Sequence, residues 1–255
     1  MSDFDRNVAT ARGFGADRAA IDQGLRAHMI RVYNYMASGV ALTGVVAWLA
    51  YQAAGGDAIT VSGRTISGLT PFGQALFQGP LMWILLFAPL GLVFFLSFRI
   101  ASMQASTART LFFAYAGLLG LSLASIFLVY TQASLTRVFF ISAASFGALS
   151  LWGYTTQRSL DAMGSFCIMG LFGILIAMVV NIFLASSGLD WAITVIGVLI
   201  FAGLTAWDTQ RIKEFYSPMD DGTVAGRKAV MGALKLYLDF VNMFLFMLRL
   251  FGDRR

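Results

Sequence analysis

The chain has 255 residues, 58% of them hydrophobic and 12% charged, with a formal net charge of +5, a mean hydropathy of +0.74 and an isoelectric point near 9.6. An ordinary soluble domain carries roughly 25% charged residues, so this composition excludes a water-wetted globule and points to an integral membrane protein. A single cysteine, Cys167, excludes a disulfide framework or a thiol metal cluster, and a single histidine, His28, excludes multi-histidine zinc hydrolases and proteases.

A helix needs about 20 apolar residues to cross the hydrocarbon core, so the distance between charged residues is the primary signal. Residues 1–30 carry Arg6, Arg12, Arg18 and Arg26 but no apolar signal-peptide core, and read as a tail without a cleavable signal. Within Ile21 to Met36, apolar residues recur near helical spacing between Arg26 and Arg31, which suits a helix lying along the membrane surface as well as a flexible tail. Uncharged stretches follow at Val32 to Ala54, Gly79 to Phe98, Thr110 to Thr136, Val138 to Gln157, Ala162 to Leu189 and Trp191 to Trp207. A seventh, Ala229 to Leu248, is equally apolar in bulk but contains Lys235 and Asp239. The expected fold is therefore an all-α membrane protein with a tail at 1–30, a seven-helix transmembrane domain at 31–252 and a short tail at 253–255.

Between the spans, Gly55 to Gly79 is the longest connection and Ser217 to Gly226 a polar turn; neither is long enough for a domain. Seven crossings put Arg6, Arg12, Arg18, Arg26, Arg31, Arg99, Arg109, Arg158, Arg211, Lys213, Arg227, Lys228 and Lys235 on the side of the N-terminus, and only Arg64, Arg137, Arg249, Arg254 and Arg255 on the other. The positive-inside rule then makes the N-terminus cytoplasmic and the C-terminus external. Arg254 and Arg255 argue the other way, because they suit a seventh stretch that dips in and returns. Small residues at Gly117 and Gly120, Gly170 and Gly173, and Gly197 and Gly203 allow helix backbones to approach closely in lipid. The positive charge reads as topology and attraction to anionic lipid, with no pattern suited to nucleic acid.

The chemistry lies in the charges that lipid would reject. Counting inward at 1.5 Å per residue, Asp208 is roughly 8 Å and Asp239 roughly 15 Å from the N-terminal side, on the sixth and seventh spans. Their side chains can meet. Two carboxyls in contact cannot easily both ionise, so such a pair shares a proton and responds to pH; it also offers hard oxygen ligands to Ca²⁺, with Asn242 one turn beyond Asp239. Blander pairings compete: Lys235 with Asp239 four residues on in the same helix, Asp208 with Arg211, or Arg99 as a latch on Asp208. No glycine-rich phosphate loop or catalytic dyad is present, and no enzyme is expected. A retinal protein is disfavoured because Lys235 is near its helix end and the third span carries no acid.

At these residues the sequence resembles the Bax inhibitor-1, or transmembrane Bax inhibitor motif, family. The resemblance rests on GLTAWDTQRI around Asp208 and ALKLYLDFVNMFLFMLRLFG around Asp239, supported by MGSFCIMGLFGILIAMVVNIFL and IRVYNYMASGVALTG. It implies a bundle in which the last helix is central and six others surround it. It further implies one of two functions. One is a pH-sensitive Ca²⁺ leak channel of the bacterial inner membrane, in which Asp208 and Asp239 form the pH-sensing pair and Arg99 exchanges with them. The other is an interaction protein that modulates a membrane-anchored protease or another membrane partner. An acidic residue found in the second span of some members has no counterpart here, and Lys235 adds a positive charge beside the pair.

Overall fold

The structure is a computed structural model that describes residues 3–62 and 65–255, and the side chains of residues 23–62, 65–100 and 102–255. Arg64 and the side chains of Arg6, Arg12 and Arg18, assigned to sides above, lie outside the described residues. In chain order the elements are α1 (Asp3–Ala54), a hairpin of β1 (Thr60–Ser62) and β2 (Thr65–Ser67), α2 (Pro71–Phe77), α3 (Pro80–Arg99), α4 (Ala105–Leu123), α5 (Ile126–Val129), α6 (Gln132–Thr155), α7 (Asp161–Leu184), α8 (Ser187–Glu214) and α9 (Gly222–Phe251). Among the described residues seven helical segments are long and apolar enough to cross a membrane, α4 and α5 together making one of them.

The spans differ in how much protein surrounds them. In its most apolar window α9 is 67% buried, against 11% for α7 and 17% for α3. It packs against α1, α4, α6 and α8, whereas α7 rests on α8 and α3 on α4. The last helix is thus central, with α3 and α7 at the periphery. Their outward side chains, Phe98, Ile182 and Phe183 among them, are large, apolar and exposed, an arrangement that suits lipid and not water. Lipid gives apolar helices no hydrophobic reason to associate, so close contact and hydrogen bonds must hold them. Tyr237 of α9 is fully buried, and its hydroxyl lies 2.6 Å from that of Thr43 on α1. Of the small-residue pairs, Gly120, Gly170, Gly197 and Gly203 sit against Val46, Ile200, Phe246 and Cys167, whereas Gly117 and Gly173 face open space.

Two features differ from the pattern of charges. The uncharged run Thr110 to Thr136 does not form one helix: the crossing ends at Val129, and Thr131 caps α6 by accepting from the Ser134 amide at 3.3 Å. A side-chain cap, not a charge, sets that boundary, and Arg137 lies inside α6, paired with Asp253 at 2.8 Å. Nor does the helix break between Ile21 and Met36. From Gln23 to Ala54 the helix is one apolar span of 32 residues, roughly 48 Å long against about 30 Å of hydrocarbon. Its first turns pack on protein, with Met29 and Val32 buried and His28 against the Tyr216 ring at 5.7 Å.

The end of α9 bears on whether the last span crosses. Arg254 pairs with Tyr130, the Arg255 amide donates to Val129 O at 2.9 Å, and the Arg255 guanidinium donates to Tyr51 Oη at 3.2 Å. Tyr51 is in the last turn of α1, so α9 ends on the face where α1 ends and does not turn back. Arg249 pairs with Asp190 at 3.2 Å on the same face. Backbone bonds and the Tyr51 hydroxyl hold Arg254 and Arg255 on this face, and Asp190 holds Arg249.

Candidate functional site

The opposite, N-terminal face is built around α8, whose run Trp207 to Arg211 works as one unit. Adjacent residues of a helix point about 100° apart, so each side chain meets a different neighbour. Trp207 lies over Gly164 of α7, where a Cβ would overlap the indole ring, and Gly153 of α6 lies so close to the Ala206 carbonyl that a Cβ would clash there too. The Trp207 indole N–H donates to Asp161 Oδ1 at 3.1 Å. Arg211 lies 3.5 Å from the same carboxylate and 3.9 Å from Glu214, with its guanidinium over the Trp207 ring.

Gln210 clamps the α6–α7 connection, accepting from the Leu160 amide at 2.8 Å and donating to Arg158 O at 2.9 Å. Thr209 faces inward and is fully buried. Its hydroxyl donates to Thr205 O at 2.8 Å and lies 2.9 Å from Ser150 Oγ, which lies 2.6 Å from Tyr33 Oη. Each hydroxyl has one proton, so with Thr209 donating to the backbone, Ser150 donates to Thr209 and Tyr33 to Ser150. This ladder joins α1, α6 and α8.

Asp208 and Asp239 are both buried, at 8% and 5% exposure, and the structure brings them together as their depths predict. The Asp239 carboxyl lies beside that of Asp208, across the α8–α9 contact. Its Oδ2 is buried and has no hydrogen-bond partner among the described residues. Lys235 donates to Asp208 Oδ1 at 3.2 Å, and its ammonium also lies 5.9 Å from the Trp207 ring centre. The lysine therefore links α9 to α8 and does not pair with Asp239 four residues on. Helix side chains lean toward the helix N-terminus, and a lysine stem extends toward water; Asp239 is one turn deeper, and the Lys235 side chain stays 37% exposed.

The other expected partners are elsewhere. Arg211 pairs with Asp161 and Glu214 and not with Asp208. Arg99 ends α3, is exposed, and among the described residues makes no ion pair with either aspartate, because α3 packs on α4 and not on the α8–α9 pair. Asn242 turns its amide onto Leu238 O of its own helix at 2.8 Å. Among the described residues no group of three or more His, Cys, Asp or Glu side chains is placed to hold a metal ion. Two carboxylates supply at most four of the six to eight oxygens that Ca²⁺ prefers. Sequence reasoning missed Tyr33, Ser150, Gly153, Asp161, Gly164 and Gln210. The available signal was the unbroken polar run Asp208 to Arg211, in which every residue must find a partner inside a bundle.

Residues 25–255 match the family model described as inhibitor of apoptosis-promoting Bax1. A relative of unassigned function from Rickettsia prowazekii is 43% identical over 255 residues, covering 100% of both chains. The inner membrane protein YbhL of Escherichia coli is 42% identical over 235 residues, 91% of this chain and 94% of its own. A Caulobacter vibrioides protein is 41% identical and also covers 100% of both chains. A family match over nearly the whole membrane domain, with relatives aligned end to end, places this chain in the Bax inhibitor-1 family.

Proposed function

We propose that the protein is a pH-sensitive calcium leak channel of a bacterial inner membrane, with its N-terminus in the cytoplasm and Asp208 and Asp239 as the controlling pair. The observation that carries this reading is the buried, unpartnered Oδ2 of Asp239 beside the Asp208 carboxyl. An ionisable group at such depth is expensive and marks an ion or proton pathway more often than a structural need. With Lys235 charged and both carboxyls ionised, the two buried aspartates and the half-buried lysine together carry one net negative charge. One proton between the carboxyls cancels that charge and supplies the missing donor, so proton occupancy alters the field a cation meets. Lys235, bridging α9 to Asp208, takes the latch position expected of Arg99.

The name of the Escherichia coli relative supports the inner membrane, and the excess of Lys and Arg on the N-terminal face supports a cytoplasmic N-terminus. Calcium entry into dye-loaded proteoliposomes between pH 6 and 8 tests the reading. A pH-dependent flux that loses its dependence in Asp208→Asn and Asp239→Asn is expected. No flux at any pH, or identical flux in the two well-folded variants, refutes the channel. It would favour a membrane interaction protein that modulates a membrane-bound protease or another partner.

A further inference from the structure

A cavity of about 220 Å³ opens on the N-terminal face between α1, the end of α8 and the start of α9, next to the aspartate pair. Its lining includes His28, Arg211, Lys228 and Lys235, with Phe215 and Met231 as apolar walls, and no acid contributes to it. The carboxylates that accompany these cations lie behind them: Asp220 holds Lys228 at 2.6 Å, Asp208 holds Lys235 at 3.2 Å, and Asp161 and Glu214 lie at 3.5 and 3.9 Å from Arg211.

Donor capacity remains toward the opening. An ammonium has three N–H groups and a guanidinium five. Lys228 uses two, on Asp220 and on Phe215 O; Lys235 uses one; Arg211 makes only its two longer ion pairs and no hydrogen bond among the described residues. Three cations with unused donors around one opening on the N-terminal face suit a tetrahedral anion with several acceptor oxygens. The volume is well above the roughly 15 Å³ that one water centre needs.

We propose that this cavity binds a phosphate group, as the headgroup of an anionic phospholipid or as free phosphate, through Arg211, Lys228 and Lys235. Its apolar walls accept the glycerol and first methylenes of a lipid. Because Lys235 also holds Asp208, an anion in the cavity competes with the aspartate for the same ammonium. That consequence for gating rests on the channel reading, while binding itself does not.

The test uses the purified full chain in neutral detergent with three probes: phosphatidylglycerol, phosphatidylcholine and inorganic phosphate. Retention is read by native mass spectrometry and stabilisation by the thermal unfolding midpoint. We expect one phosphatidylglycerol retained in preference to phosphatidylcholine, and retention weakened about tenfold in the double variant Arg211→Gln, Lys228→Gln, which loses two charge-assisted contacts. Met231→Trp, which fills the cavity from a wall that is 44% exposed in the structure, should block binding with every charge in place and the unfolding midpoint unchanged. A midpoint raised by inorganic phosphate in wild type and not in Met231→Trp assigns the site to the free anion; a response to phosphatidylglycerol alone assigns it to lipid. Equal retention of both lipids, or retention unchanged in both variants, together with no effect of phosphate, overturns the proposal whether or not the protein conducts calcium.

Discussion

Replacing Lys235 by methionine removes the ammonium from Asp208 and keeps most of the side chain's length and apolar contact. At 3.2 Å and an effective dielectric near 20, the attraction is about 5 kcal/mol before desolvation is counted. The Asp208 side chain is only 11% exposed, but that of Lys235 is 37% exposed, so water screens one end while burial penalises the other. The net coupling should fall between an exposed pair, about 0–1 kcal/mol, and a fully buried one broken by losing a partner, about 3–5 kcal/mol; about 1–2 kcal/mol is expected. A double-mutant cycle of Lys235→Met with Asp208→Asn, unfolded by SDS in mixed micelles and followed by far-UV circular dichroism, isolates that coupling from the other effects of each change. A parallel cycle of Lys235→Met with Asp239→Asn should give a smaller value, because Lys235 reaches across to α8. Coupling to Asp208 below about 0.3 kcal/mol, or coupling to Asp239 larger than to Asp208, refutes the assignment of the lysine.

The supports of α8 should respond in proportion to what they hold. Gly164→Leu and Gly153→Val force side-chain atoms into Trp207 and the Ala206 carbonyl and should each cost about 2–3 kcal/mol in the same unfolding assay; a change within error would mean that α7 or α6 can retreat. Gln210→Ala removes two hydrogen bonds and leaves the Leu160 amide without its acceptor, a loss of about 2 kcal/mol, whereas Gln210→Glu keeps the acceptor and should recover about half. Tyr33→Phe removes the first donor of the hydroxyl ladder and should cost about 1 kcal/mol; a neutral result would mean that Ser150 finds another donor. In a Cys167→Ala background, single cysteines at Ser217 and Arg255 should be labelled from opposite sides of sealed vesicles by an impermeant maleimide. Labelling of both from one side refutes the full crossing of α9.

Crossing lipid imposes a simple rule, and where only that rule acts the sequence was readable. A charge inside hydrocarbon is expensive wherever it sits, so long uncharged runs mark the spans without reference to packing. Local hydrogen bonding escapes that rule. One helix ends at Val129 and Thr131 caps the next inside a run that contains no charge, and Arg137 lies within α6 because a basic residue near a helix end can reach the interface and there meets Asp253. The centrality of α9 was likewise invisible to charge counting. It rests on Tyr237, Asp239 and their neighbours being apolar or polar in ways that suit contact with protein, and the family resemblance supplied it before the packing did.

At the site, depth was legible and partnership was not. Rise per residue brings Asp208 and Asp239 to overlapping levels whatever the rotation of their helices, which is why their encounter followed from counting. Partnership, by contrast, was open: Lys235 could pair with Asp239 in its own helix, and Asp208 could take Arg211 or Arg99. Rotation decided among them: α8 turns Asp208 toward α9 and Arg211 toward Asp161, while α3 stands outside the pair altogether. Once Lys235 is committed to Asp208, the deeper Asp239 keeps an oxygen with no hydrogen-bond partner among the described residues. A bundle selected only for stability could remove that cost by exchanging Asp239 for an apolar residue of similar volume. On the proposed channel reading, that cost is offset by what the carboxylate binds, a proton or a passing cation, and the flux assay on Asp239→Asn tests it.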